Sequence, residues 1–141
     1  MSSLVEAVYR GNVQEVEAQL ADGANVNWES TDGCPLLHYA VMGGHTAMVA
    51  LLLGAGANVN ARTQDHVTPL INSIEWGYID IVKILLAHGA DSRAQDEYGR
   101  TALKLATEHR QSEIVALLQE AVSQKPSPES GQVSSSTLIS N

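Results

Sequence analysis

Phenylalanine is absent from this 141-residue chain, and two Trp and four Tyr are its only large aromatic residues. With 44% of residues hydrophobic, a core has to be assembled from Ala, Val, Leu and Ile. Cysteine occurs once, as Cys34, which excludes an intramolecular disulfide and a cysteine-based zinc site. Cations are scarce: 8 Lys and Arg stand against 16 Asp and Glu, for a net charge of -8. That balance lacks the electrostatic footprint of nucleic-acid binding and favours a protein partner with a basic surface. Apolar runs are short and broken by Gly, and the opening MSSLVEAVYRGN has no basic segment followed by an apolar one. Neither a signal peptide nor a membrane contact is expected, and a reducing compartment, cytoplasmic or nuclear, fits best.

What the chain does have is a period. DGCPLLHYAVMGGHTAMVALLLGAGANVN begins at Asp32, and DHVTPLINSIEWGYIDIVKILLAHGADSR begins 33 residues later at Asp65. At that offset Leu4, Leu37, Leu70 and Leu103 fall in one column, and Ala7, Ala40, Ser73 and Ala106 in another. Val16, Val49, Val82 and Val115 agree in all four units, and Gly11, Gly44 and Gly77 share a column whose fourth member is Arg110. Within a unit, a segment such as PLLHYAVMG suits about two helical turns, with Leu37, Ala40 and Val41 on one side. A second helix follows in HTAMVALLLG and stops at Gly-Ala-Gly, before a polar connection rich in Asn and Asp. One such pair cannot bury its apolar side alone, so neighbouring pairs must stack.

The ends differ as a finite stack requires. Leu20, Leu53 and Leu86 give way to Gln119, and Val8, Val41 and Ile74 give way to Thr107, so no fifth unit is expected to pack there. From residue 123 the composition turns to Ser and Pro without periodicity, which predicts a disordered tail over 123–141, with a Ser-Pro at Ser127. Catalytic chemistry is hard to find. The five histidines occupy five different columns, none forms an i, i+4 metal pair, and no phosphate-binding glycine loop follows a strand. No catalytic residue, metal or cofactor is expected. Cys34, near Glu29 and Asp32, is expected to be an inert thiol.

The segments DHVTPL, PLLHYA, LLLGAGANVN and LLAHGAD resemble the ankyrin repeat, whose period is 33 and whose marker is Thr-Pro-Leu-His. The resemblance covers about Leu4 to Val122 and implies an all-α solenoid. Its four stacked helix-turn-helix repeats would fall at about 1–29, 30–62, 63–95 and 96–122, with β-turn or hairpin loops projecting to one side. The marker is imperfect: Pro35 and Leu36 replace Thr-Pro in the second unit, Ile71 replaces His in the third, and Ala102 and Lys104 depart in the fourth. His38 is the only histidine in its column, and the resemblance implies that its ring binds loop backbone.

The resemblance also implies where a partner would touch: the loop tips and the C-terminal ends of the first helices, along a concave face. The loop positions are Asp32, Asp65, Glu97, Tyr98 and Arg100. The helix positions are Tyr9, Arg10, Met42, Glu75, Trp76, Glu108 and His109. Aromatic and Met anchors ringed by carboxylates suit a protein interface. Trp76 has an alternative, since its indole could lie over the gap left by Gly43 in the preceding repeat, and Trp28 could shield the stack or extend the patch. The expectation is a non-enzymatic adaptor or inhibitor, a monomer or part of a hetero-complex. VNWESTDGCPLLHYA and YGRTALKLATEHRQSEIVALLQ further resemble a small four-repeat member of the family that inhibits the actin-filament capping protein. A structural subunit of a larger assembly, or a steric inhibitor of another enzyme such as a kinase, is the alternative.

Overall fold

The computed structural model describes residues 4–124; of the tail expected over 123–141, Ser123 and Gln124 instead continue the last helix, and the rest, with Ser127, lies outside the described residues. Eight helices follow one another in four pairs: α1 (Leu4–Arg10) with α2 (Val13–Ala21), α3 (Leu36–Met42) with α4 (Thr46–Gly54), α5 (Pro69–Trp76) with α6 (Ile79–Ala87), and α7 (Ala102–Glu108) with α8 (Ser112–Gln124). The first helices α1, α3, α5 and α7 pack side by side as one layer, and α2, α4, α6 and α8 form the other. The only β pairing among the described residues is the pair of isolated antiparallel bridges Glu29 to Pro35 and Gln95 to Thr101, at the bases of two loops.

The repeating columns become the core. Val16, Val49 and Val82 are buried between the layers, and the small residues Ala7, Ala40, Ser73 and Ala106 are buried where the first helices approach one another. Ser73 keeps its place there by donating its hydroxyl to Leu70 O at 2.8 Å. Burying each aliphatic side chain of this kind contributes roughly 1.5–3 kcal/mol. Val8, Val41 and Ile74 are fully buried between repeats, whereas Thr107 and Gln119 are exposed at the last one. The Thr107 hydroxyl turns back onto Leu103 O at 2.8 Å.

Helix starts follow local chemistry. Thr68 and Thr101 cap α5 and α7 by accepting from Ile71 N and Lys104 N, each at 3.2 Å, and Asn12 caps α2 through Glu15 N. Pro35 occupies the same column without a side-chain bond. The loops obey a column of their own. Ser30 Oγ, Thr63 Oγ1 and Asp96 Oδ1 each accept from the amide four residues on, at Cys34, Val67 and Arg100, while the matching backbone bonds run back from Ser30, Thr63 and Asp96 N. Next to them an asparagine ladder links repeats: Asn27 Oδ1 accepts from Asn58 N at 2.9 Å, and Asn60 Oδ1 accepts from Asp91 N at 2.7 Å.

Three columns adopt left-handed backbone: one holds Gly23, Gly56 and Gly89, and the other two each admit a residue with a side chain. Gly33 and Gly99 have φ of 78° and 76°, and the third member, His66, adopts 63°. Gly11, Gly44 and Gly77 lie at 70–78°, and their fourth member, Arg110, lies at 58°. A side chain with a Cβ is strained there and glycine is not. His66→Gly and Arg110→Gly are each expected to raise stability by about 0.5–1 kcal/mol, since relief of strain exceeds the added freedom of the unfolded chain. Urea denaturation of the two single variants measures this, and a loss at either site would show that its exposed side chain is held by the fold.

Candidate protein-binding surface

Each second helix is preceded by a residue of one column: Asn12, His45, Tyr78 and Gln111. Two of these reach back to the preceding first helix. His45 Nε2 donates to Tyr9 O at 2.7 Å, and Gln111 Nε2 donates to Ile74 O at 3.0 Å. The His45 ring fills the space beside Gly11 and Gly43, because a Cβ at either position would come within 2.6 Å of it. Tyr78 lies against Gly44 and stacks on Trp76, with ring centroids 6.4 Å apart and planes 14° from parallel.

The gap beside Gly43 is thus occupied by His45, and Trp76 is left standing out from the end of α5 with 58% of its surface exposed. The side chain nearest Gly43 is His45, and the Trp76 indole rests on Tyr78. Tyr9, at the end of α1, and Tyr98, on the last loop tip, are exposed as well. Asp32, Asp65 and Glu97 are exposed on successive tips, and the last two are joined by a bond from Glu97 N to Asp65 O at 3.1 Å. Glu108 and His109 are exposed at the end of α7, and Met42 is half-buried at the end of α3.

Two basic members of the row are already engaged. Arg10 pairs with Glu6 at 2.8 Å, in the open, where such a pair contributes at most about 1 kcal/mol. Arg100 donates from Nε and Nη2 to Asp96 Oδ2 at 2.9 and 2.8 Å, and its guanidinium lies 5.2 Å from the Tyr98 ring centroid. Asp96 also accepts the Tyr98 and Arg100 amides at 2.9 Å. Burial would push the Asp96 carboxyl up, but these amides and the guanidinium outweigh it and hold the group below the usual carboxylate range. Glu75 shifts the other way. Partial burial pushes it up, with Asp96 adding repulsion, against opposing pulls from Arg100 and His109.

A family model described as ankyrin repeats in three copies matches residues 4–96 and again 56–128. The chain belongs to the ankyrin-repeat family. No curated protein matches it. In the ankyrin stack the four helix pairs are therefore a protein–protein interaction scaffold, and Trp76, Tyr98 and their acidic neighbours lie on loop tips and first-helix ends. No helix among the described residues is long and apolar enough to cross a membrane. Nor do the described residues contain a group of three or more His, Cys, Asp or Glu placed to hold a metal ion.

The remaining polar residues of the ankyrin core serve its architecture. His38 Nε2 donates to Val67 O at 2.8 Å, joining α3 to the next loop, while its Nδ1 is buried without a partner. Burial pushes this imidazole down to about 4, so the ring is neutral at pH 7. The Cys34 thiol is pushed up, first by burial, against a lowering hydrogen bond with Tyr39, and further by Asp32 and Glu29. It is accordingly a poor nucleophile at neutral pH.

Proposed function

We propose that this ankyrin stack is a non-enzymatic adaptor or inhibitor that binds a protein with a basic surface through its loop tips and first-helix ends. One observation carries the reading. The large hydrophobic residues left exposed are Tyr9, Trp28, Trp76 and Tyr98, and three of these four belong to that row. Aromatic side chains that the fold could bury and does not are the usual anchors of an interface, and the surrounding carboxylates set the choice of partner. Trp28, 36% exposed in the loop after α2, stands outside the row.

The most specific version is inhibition of the actin-filament capping protein. VNWESTDGCPLLHYA, DHVTPLINSIEWGYIDIVKILLAHGAD and YGRTALKLATEHRQSEIVALLQ resemble myotrophin, a four-repeat ankyrin protein that binds the basic surface of capping protein. The net charge of -8 supports such a partner. The test is titration of purified capping protein with the wild type and with Trp76→Ala. Binding weaker by about 2 kcal/mol, roughly thirtyfold, with unchanged thermal stability is the expected result. If the wild type does not bind, the capping-protein version falls. The broader reading falls if a Trp76→Ala, Tyr98→Ala double variant recovers the same partners from extract, in the same amounts, as the wild type.

A further inference from the structure

The last loop shows how this chain treats a guanidinium. Arg100 is held by Asp96 and spread over the Tyr98 ring, so that a carboxylate and an aromatic face share one cation. At the end of α5 the same ingredients recur without the cation. Tyr78 stacks on the Trp76 indole, yet 58% of the residue's surface remains exposed and available to a further group. Glu75 precedes it, and Glu108 holds the same place one repeat on. Neither forms an ion pair among the described residues. Arg100, whose charge reaches both, has two of its nitrogens committed to Asp96.

Resting on the row as the binding surface, we propose that repeats three and four receive an arginine side chain from a basic partner segment. Its guanidinium lies on the exposed Trp76 indole and donates to Glu75, and Glu108 supplies a second negative charge. Each alternative occupant meets a physical objection. An apolar group would cover the exposed Glu75 and strip its carboxylate of water without replacing the lost bonds. An anionic group would meet Glu75, Glu108, Asp65 and Glu97 on a chain of net charge -8. Lysine satisfies the charge, but its compact ammonium is more strongly hydrated and has no plane to stack on an indole. Arginine does both, and its forked donors match a carboxylate.

The test starts from a displayed library of random twelve-residue peptides selected on the wild-type chain. Enriched peptides should share an arginine. In synthetic versions, replacing that arginine with citrulline should weaken binding by about tenfold or more, and replacing it with lysine by less. Glu75→Gln should weaken the arginine peptide to a similar degree while leaving the citrulline peptide unaffected, so that the preference collapses. In a Trp28→Phe background Trp76 is the only indole, and its emission should respond to the arginine peptide at the concentration that saturates binding. Peptides that lose affinity with Trp76→Ala but tolerate citrulline would overturn the arginine site and leave the binding row standing. Peptides indifferent to both Trp76→Ala and Tyr98→Ala would overturn the row and the arginine site together, and so would a selection that enriches nothing.

Discussion

Replacing Asp96 with Ala is expected to lower the stability of the stack by about 3 kcal/mol. The side chain is only 2% exposed, and its two oxygens take four donors: the Tyr98 and Arg100 amides on Oδ1, and Nε and Nη2 of Arg100 on Oδ2. Removing it opens the loop that leads into α7 and leaves Arg100 without its carboxylate. Because the guanidinium is one-third exposed, water recovers part of that loss, which places the effect at the low end for a broken buried pair. Asp96→Asn keeps an acceptor for the two amides and should cost about half as much, separating loop closure from charge. Ser30 and Thr63 close the equivalent loops with neutral oxygens, so a neutral acceptor is sufficient for the backbone part. Urea denaturation at pH 7 reads both variants, and equal losses from Ala and Asn would show that the charge carries the whole effect.

Acidification from pH 7.5 to 5.0 is expected to remove about 2 kcal/mol through His38. The folded pKa is about 4 against 6.5 for the free side chain, so over this range the unfolded chain takes up a proton that the folded chain refuses. Stability is therefore complete above 6.5 and drains away as the pH falls toward 4. Asp96 contributes in the same sense but lower down. Its folded pKa is depressed, so its contribution is present above the ordinary Asp value and is lost only as pH falls through the folded one. Glu75, with a raised folded pKa, acts oppositely and gains stability as it protonates. His38→Gln retains a donor toward Val67 O and cannot titrate, so its stability should be nearly level between pH 7.5 and 5.0. Parallel pH profiles for the wild type and this variant would locate the titration elsewhere.

The helix pairs were legible because the 33-residue register is written in side chains that face the core. Val16, Val49 and Val82 have no function other than filling the same space three times, so they remain the same residue. The polar columns were harder to read because different residues perform one task, or one position performs several. Ser30, Thr63 and Asp96 share only an oxygen, yet each closes a loop. His45 and Gln111 hydrogen-bond to the preceding repeat, while Tyr78 in the same column lies against Gly44 of that repeat without such a bond and stacks on Trp76. That His45 takes the space beside Gly43 could be learned only from the structure, since the two lie in different columns. Arg100 falls in a column expected to touch a partner, and the signal that the fold uses it is Asp96 four residues earlier. For Cys34 the neighbouring acids were visible in the chain, but the larger cause of its inertness is burial.

Side-chain bonds between repeats join nearest neighbours: Asn27 to Gly56 and Asn58, His38 to Val67, His45 to Tyr9, Asn60 to Asp91, Gln111 to Ile74. None of these bonds fastens the first repeat to the third or fourth. Opening can therefore travel inward from either end one pair at a time, and amide exchange should be fastest in the outer pairs and slowest in α4 and α6. A partner seated on the third and fourth repeats would slow exchange there while α1 and α2 continued to breathe. The free end would then act as a compliant hinge, able to follow an uneven surface without loosening the grip.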